Sequence, residues 1–322
     1  MNTGMKTNNG IRLSLLITCI AITAFVLQPA MAEAQSKKSV SAQPAKQAAS
    51  NAKAPTTGYA PVNGLKLYYE IHGQGEPLVL LHGGLGSSGM FGDNLTALAK
   101  VRKVITVDLQ GHGRTADIDR ELNVEYMADD IAALLKHLQI EKADVMGYSM
   151  GAGVALQTAI RHPQVVRKLI VASIPFRRSA FYPEILVQQA QVGPEAAEMM
   201  KQTPMYQSYA SIAPRPQDWA RLLTKIGETM KKDYDWTESI KNIKAPTLVM
   251  AADADLFPPS HAVELFGLLG GGQRDAGWDG SQRPASQLAI LPNATHYNLF
   301  MLPALSSTAI AFLTQPAQQA KW

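Results

Sequence analysis

From about residue 60, short apolar runs alternate with longer amphipathic stretches and glycine-rich turns. Leu65-Lys66-Leu67-Tyr68-Tyr69-Glu70-Ile71 alternates and predicts a half-buried strand, turned back by Gly73-Gln74-Gly75-Glu76. Leu78–Leu81 is continuously apolar, as in a strand covered on both faces. Strands are likewise predicted at Val104–Val107, at Asp144–Met146, at Leu169–Ala172, at Thr247–Ala252 and at Gln287–Leu291. Between them lie helical segments: Phe91–Lys100, Val124–Leu138 with apolar spacing at Met127, Ile131, Leu134, Leu135 and Leu138, a small-residue helix ending at Arg161, Ser260–Leu269 and Pro303–Leu313. Strand–helix alternation predicts a mostly parallel sheet with right-handed crossovers and flanking helices, an α/β fold. The alternation stops near Pro175. Residues 176–242 carry helical patterns at Glu184–Val192, Glu195–Lys201 and Pro216–Lys232, and read as a helical lid inserted between core segments 58–175 and 243–316. The glycine-rich loop Gly270–Ser286 is longer than such connections usually are.

The N-terminus follows another logic. Lys6 and Arg12 precede an apolar stretch, Leu13–Leu27, of 15 residues, and Ala30-Met31-Ala32 fits a small-x-small cleavage site. Residues 1–32 are therefore expected to be a secretory signal peptide cut after Ala32, giving a periplasmic or secreted protein with no stable membrane span. Residues 33–57, rich in Ala, Gln, Ser, Lys and Pro, are expected to form a disordered linker. The single cysteine, Cys19, falls inside the apolar stretch, so a chain cut after Ala32 is expected to have no thiol chemistry and no disulfide. A hydrophobic content of 46% and a charged content of 17% suit a globular protein with a sizeable core. The net charge of +4, without a lysine- or arginine-rich run, argues against a nucleic-acid partner.

In open parallel sheets, ligands bind beyond the carboxyl ends of the strands. The polar residues with chemical potential fall there. His82-Gly83-Gly84 follows one strand, Gly147-Tyr148-Ser149-Met150-Gly151 a second, Asp253 and Asp255 a third, and His296 a fourth. Gly147–Gly151 matches G-x-S-x-G between a strand and a small-residue helix, the context in which a serine is lifted on a sharp turn. A serine hydroxyl needs a base within hydrogen-bond reach, and the base needs an orienting carboxylate. His296 and Asp255 lie where those groups belong, in the chain order Ser, Asp, His. No pair of histidines has metal-ligand spacing, so neither metal nor cofactor is expected. Gly83-Gly84-Leu85-Gly86 lacks the Lys and Ser/Thr of a phosphate loop.

Five motifs in order carry a resemblance: H-G-G at 82–84, D-x-x-G-H-G at 108–113, G-Y-S-M-G at 147–151, D-x-D-x-x-x-P at 253–259 and A-T-H at 294–296. Over about residues 60–314 the chain resembles the α/β-hydrolase superfamily, in the lidded branch of enol-lactonases, carbon–carbon bond hydrolases, arylesterases and cofactor-free haloperoxidases. The resemblance implies Ser149 as nucleophile, His296 as base and Asp255 as acid. It also implies an oxyanion hole from the backbone N–H groups of Gly84 and Met150. The family's habit of using the second acidic position favours Asp255 over Asp253, whose other reading is a turn bond to nearby N–H groups. The implied substrate is a small apolar ester or lactone, with carbon–carbon cleavage and perhydrolysis open on the same three residues, and a non-catalytic binding protein as the competing class. A serine at position 149 argues against dehalogenase and epoxide-hydrolase chemistry, where the family carries an aspartate.

Other residues have plainer readings. His82 is expected to brace the oxyanion loop, His112 either to be structural in its glycine turn or to line the pocket, and Asp108 to organise a turn. His72, His137, His162 and His261 are expected to be solvated or to cap helices. The lid residues Met199, Met200, Met205, Tyr206, Tyr209, Trp219, Met230, Tyr234 and Trp236 either roof a substrate or pack within the lid. Arg177-Arg178 either meets a substrate carboxylate or is solvated. Asp275, Trp278 and Asp279 of the long loop either approach the site or stand away from it.

Overall fold

The computed structural model describes residues 54–315. The expected signal peptide, and the expected linker up to residue 53, lie outside the described residues. Strand β1 (Thr56–Val62) and strand β2 (Leu65–His72) form an antiparallel hairpin. Its turn is Asn63-Gly64, with φ of 46° and 84°, the left-handed pair that matches strand twist. The first strand thus begins at Thr56, two residues ahead of the expected start of the core. Then follow β3 (Pro77–Leu81), β4 (Lys103–Val107), β5 (Ala143–Tyr148), β6 (Val166–Ala172), β7 (Thr247–Ala254) and β8 (Gln287–Thr295).

The eight strands lie in the order β1-β2-β4-β3-β5-β6-β7-β8. The first two pairings are antiparallel and the others parallel. From β3 the chain steps to one side for β4 and to the other for β5. The carboxyl ends of β3 and β5 therefore flank the switch point, where an α/β sheet opens a crevice.

The helices are α1 (Asp93–Ala99), α2 (Val124–His137), α3 (Met150–Arg161), α4 (Pro183–Ala190), α5 (Pro194–Met200), α6 (Pro204–Ile212), α7 (Trp219–Lys231), α8 (Thr237–Ile240), α9 (Pro259–Leu268) and α10 (Pro303–Thr314). Five of them open with proline, whose fixed φ suits the first helical position. Asn123 caps α2, its side chain accepting from the N–H groups of Glu125 and Tyr126. Strand β3 shows how the sheet is covered. Val79 and Leu81 join Ile131, Leu134 and Leu156 of α2 and α3 on one face. Leu78 and Leu80 join Leu98, Leu305 and Phe312 of α1 and α10 on the other. Burying each such side chain is worth about 1.5–3 kcal/mol, which is why β3 is apolar without alternation.

The insertion between β6 and β7 is helical, with five helices (α4 to α8) where the sequence pattern predicts three. Its two ends meet. Arg177 and Asp235 form an antiparallel bridge, Arg178 N–H donates to Tyr234 O at 3.0 Å, and Trp236 N–H donates to Phe176 O at 3.0 Å. Helix α7 is clamped to the loop between β4 and α2. Lys225 and Arg221 both donate to Asp117 at 2.7 Å, and Lys225 also reaches the carbonyls of Ile118 and Arg120. Burial alone would raise the Asp117 carboxyl, but these partners and Gln110 hold it below the usual carboxylate range. Within the insertion, Trp219 is buried, donates to Ala197 O at 3.0 Å and meets the rings of Tyr206 and Tyr209. Met199, by contrast, is 72% exposed, so it packs in neither a roof nor a core. In the long loop, Asp275 and Asp279 cap their own turns at Gly277 and Ser281, and Trp278 stands fully exposed.

Candidate active site

Ser149 occupies the single step between β5 and α3, at φ 53° and ψ −122°. A non-glycine residue there is strained by about 1–3 kcal/mol. The surroundings enforce it. A Cβ at Gly147 would lie 2.0 Å from Gly151 O, and one at Gly151 would lie 2.4 Å from Leu81 O. Strand and helix can therefore approach only with glycine at both positions. Ser149 N–H donates to Ala172 O at 2.9 Å, and Ser149 O accepts from Ala152 and Gly153. The Met150 N–H, in the first turn of α3, has no acceptor within the helix and carries the positive end of its dipole.

The Ser149 hydroxyl lies 3.0 Å from His296 Nε2, and His296 Nδ1 lies 2.9 Å from Asp255 Oδ1. These residues come from the ends of β5, β8 and β7, and the sheet order brings them together. Asp255 is buried and accepts three more bonds: from Leu256 N–H at 2.8 Å to Oδ1, and from Ala252 N–H at 3.1 Å and the Ser173 hydroxyl to Oδ2. Burial pushes its carboxyl up, but the bond and charge of His296, with the other donors, hold it below the ordinary value. Asp255 is thus ionised and aimed at the imidazole. Asp253 faces elsewhere. It accepts from Asn293 N–H at 3.0 Å and Ala294 N–H at 2.9 Å, so it pins the strand leading into His296.

The loop after β3 lies against the elbow. A Cβ at Gly83 would come within 2.9 Å of the Tyr148 ring, whereas one at Gly84 would meet nothing within 4 Å. His82 Nδ1 donates to Gly83 O at 2.7 Å while Nε2 accepts from Leu109 N–H at 3.0 Å. That pairing defines a neutral ring, and burial lowers its basicity further. Asp108 joins this loop to the next, accepting from Ser88 N–H and hydroxyl at 2.6 Å and from Arg114 N–H at 2.8 Å. A Cβ at Gly113 would strike the same carboxylate at 2.3 Å. His82, His112 and Asp108 are bracing groups, as the sequence suggests; burial pushes His112 down to about 3.

Two expectations change. His261 is neither solvated nor a cap: it is 3% exposed, stacks on Phe176 at 4.1 Å, and accepts from Phe176 N–H at 3.2 Å. Burial lowers it to about 4. Arg177 is committed to Glu264 through bonds of 2.6 and 2.7 Å, and Arg178 to Met230 O at 2.9 Å, so both are held by the protein. His72 and His162 are half-buried beside Glu70 and Asp129, and His137 is exposed. Sequence reasoning missed two groups at the site. One is Ser173. The other is the Tyr148 hydroxyl, which donates to His296 O and places its ring 5.4 Å from the imidazole. Tyr148 is the variable letter of its motif, and no local pattern marks its partner.

A profile of the α/β-hydrolase fold matches residues 76–222, which include the H-G-G loop and Ser149. A Yersinia enterocolitica protein named "Putative carbamate hydrolase RutD" is 30% identical over 218 residues, 60% of this chain and 77% of the relative. Among solved structures, a thermophilic esterase from Thermogutta terrifontis superposes with a TM-score of 0.61 at 23% identity, over 81% of this chain and 98% of the esterase. The enol-lactonase from Burkholderia xenovorans gives a TM-score of 0.59 at 23% identity, over 80% of this chain and all of the other. At that identity the two structures speak for the fold alone. Profile, relative and sheet order agree: the chain belongs to the α/β-hydrolase family.

Proposed function

We propose that the protein is a serine hydrolase of small carboxylic esters or lactones. The observation that carries this reading is the continuous chain of bonds from the Ser149 hydroxyl through His296 to the buried Asp255 carboxylate. His296 Nε2 takes the hydroxyl proton as Ser149 Oγ attacks the substrate carbonyl. The oxyanion is received by the N–H groups of Met150 and Gly84. His296 then gives the proton to the leaving alkoxide, and the acyl group stays on Ser149. Water, deprotonated by His296, adds to the acyl carbon, and collapse returns the acid and the free serine. Asp255 holds the imidazole in the right tautomer and stabilises its charged form. Each oxyanion donor is worth about 10²–10³ in rate. Gly84 is exposed and its missing side chain points into open space, which leaves room for substrate beside its N–H.

Carbamate cleavage is the second reading, favoured by the name of the Yersinia relative. It uses the same attack on a less electrophilic carbonyl. The test is turnover of p-nitrophenyl acetate and butyrate, a set of ring lactones, an aryl carbamate, a dienoate and peracid formation, by wild type and Ser149→Ala. The expected result is ester or lactone turnover that Ser149→Ala loses by at least about 10³-fold. Equal rates in both proteins would remove Ser149 from the mechanism. Export through residues 1–32 is part of the proposal, and the mature N-terminus should be Glu33 by mass spectrometry of cell fractions.

A further inference from the structure

Ser149 has a counterpart one strand away. Tyr148 pairs with Ala172, so β5 and β6 end level, and Ala172 pairs with Met250 of β7, which runs on to Ala254. Ser149, one residue past β5, donates its N–H to Ala172 O at 2.9 Å; Ser173, one residue past β6, donates its N–H to Met250 O at 2.9 Å. Both have positive φ, 53° and 59°. The same backbone device, repeated on adjacent strands, lifts two hydroxyls at the carboxyl edge of the sheet. One meets His296, and the other meets the carboxylate that His296 depends on.

We propose that Ser173 is a positioning residue for the reaction, locking the Asp255 carboxylate so that Oδ1 faces His296. This inference rests on the hydrolase reading above. The donor set shows why one hydroxyl matters. Oδ1 is shared between His296 and the Leu256 N–H, and Oδ2 is held by the Ala252 N–H and Ser173. Without Ser173, a single backbone donor at 3.1 Å remains on Oδ2, and the carboxylate can turn about its Cβ–Cγ bond. The hydroxyl is 1% exposed with its residue, so water does not replace it freely. Glycine would meet the backbone conformation without strain. The serine side chain therefore supplies something the backbone does not need. The other titratable groups around the pair are the Tyr148 and Tyr297 phenols, which burial and the Asp255 charge push up, so both stay neutral while the pair works.

The experiment uses Ser173→Ala and Ser173→Gly beside wild type and Ser149→Ala, with the ester or lactone that wild type turns over. Both Ser173 variants lose the hydroxyl, and the glycine variant also relieves the positive φ, which keeps it folded. Expected are kcat values lowered about tenfold in both, KM within about twofold of wild type, and Ser173→Gly melting above Ser173→Ala. Stability then differs between the two variants while activity falls equally in both, which a purely structural serine would not produce. Normal kcat in Ser173→Gly, beside an inactive Ser149→Ala, would overturn the positioning role and leave the hydrolase reading intact. Full turnover by Ser149→Ala would overturn both.

Discussion

The strain at Ser149 can be weighed by comparing two variants that both lack its hydroxyl. Ser149→Ala and Ser149→Gly each give up the 3.0 Å bond to His296, so that loss cancels between them. What differs is the Cβ at φ 53°, ψ −122°. The strain relieved by glycine is about 1–3 kcal/mol. Against it stand about 0.5–1 kcal/mol for the extra freedom of glycine in the unfolded chain, and about 0.5 kcal/mol for a lost, partly buried methyl. The balance favours glycine by about 1 kcal/mol. For a domain of this size that is about 2–4 °C in Tm. Urea unfolding at equal m-values, with a matching thermal scan, measures it. If Ser149→Ala proves as stable as Ser149→Gly, the elbow is not strained in the way argued, and the lift of the hydroxyl needs another cause.

The two aspartates should separate cleanly. Asp255→Asn should lower kcat by about 10³–10⁴, while Asp253→Asn, which keeps one oxygen for one of the Asn293 and Ala294 N–H groups and loses the bond to the other, should stay within tenfold; steady-state kinetics on one substrate decides. Stability should depend on the neutral histidines. His82, His112 and His261 all have folded values depressed below 6.5, so the unfolded chain binds more protons as pH falls. Their contribution is whole above about pH 6.5 and is lost on acidification, down to about 4 for His261 and about 3 for His112. A Tm-against-pH profile should fall over that window, and His261→Gln should flatten its upper part; an unchanged slope would contradict the burial argument.

The sheet was largely readable because the interior parallel strands are buried on both faces and so write themselves as apolar runs, Leu78–Leu81 above all. That Ser149, His296 and Asp255 would come together was readable because each follows a strand at the same edge of the sheet. Strand β1 was not. Its sequence, TTGYAPV, pairs on one side only, tolerates Pro61 at the sheet edge and carries four exposed residues, so burial leaves little pattern. Helix α6 buries only Tyr209, which gives no stripe to detect. The strand before His296 runs on to Thr295, past the apolar Gln287–Leu291, because Asp253 holds the Asn293 and Ala294 N–H groups. Ser173 and the Tyr148 hydroxyl act across 82 and 148 positions of sequence, and their meaning exists only after the sheet has assembled.

The closed neck of the helical insertion has a consequence for how this protein can change. Because the chain leaves at Phe176 and returns at Trp236 with its two limbs bonded to each other, the sheet registers the insertion as a turn of fixed width. Helices beyond the neck meet the core outside the strands, among other places where Tyr182 N–H donates to Leu256 O at 3.1 Å and the Thr229 hydroxyl to Leu122 O at 2.6 Å. The clamp at Asp117 is a further condition, since a replacement insertion must supply cations where Arg221 and Lys225 now stand. The insertion is in this sense an exchangeable module, and grafting another between Phe176 and Trp236 should leave the chain of bonds from Ser149 through His296 to Asp255 in place.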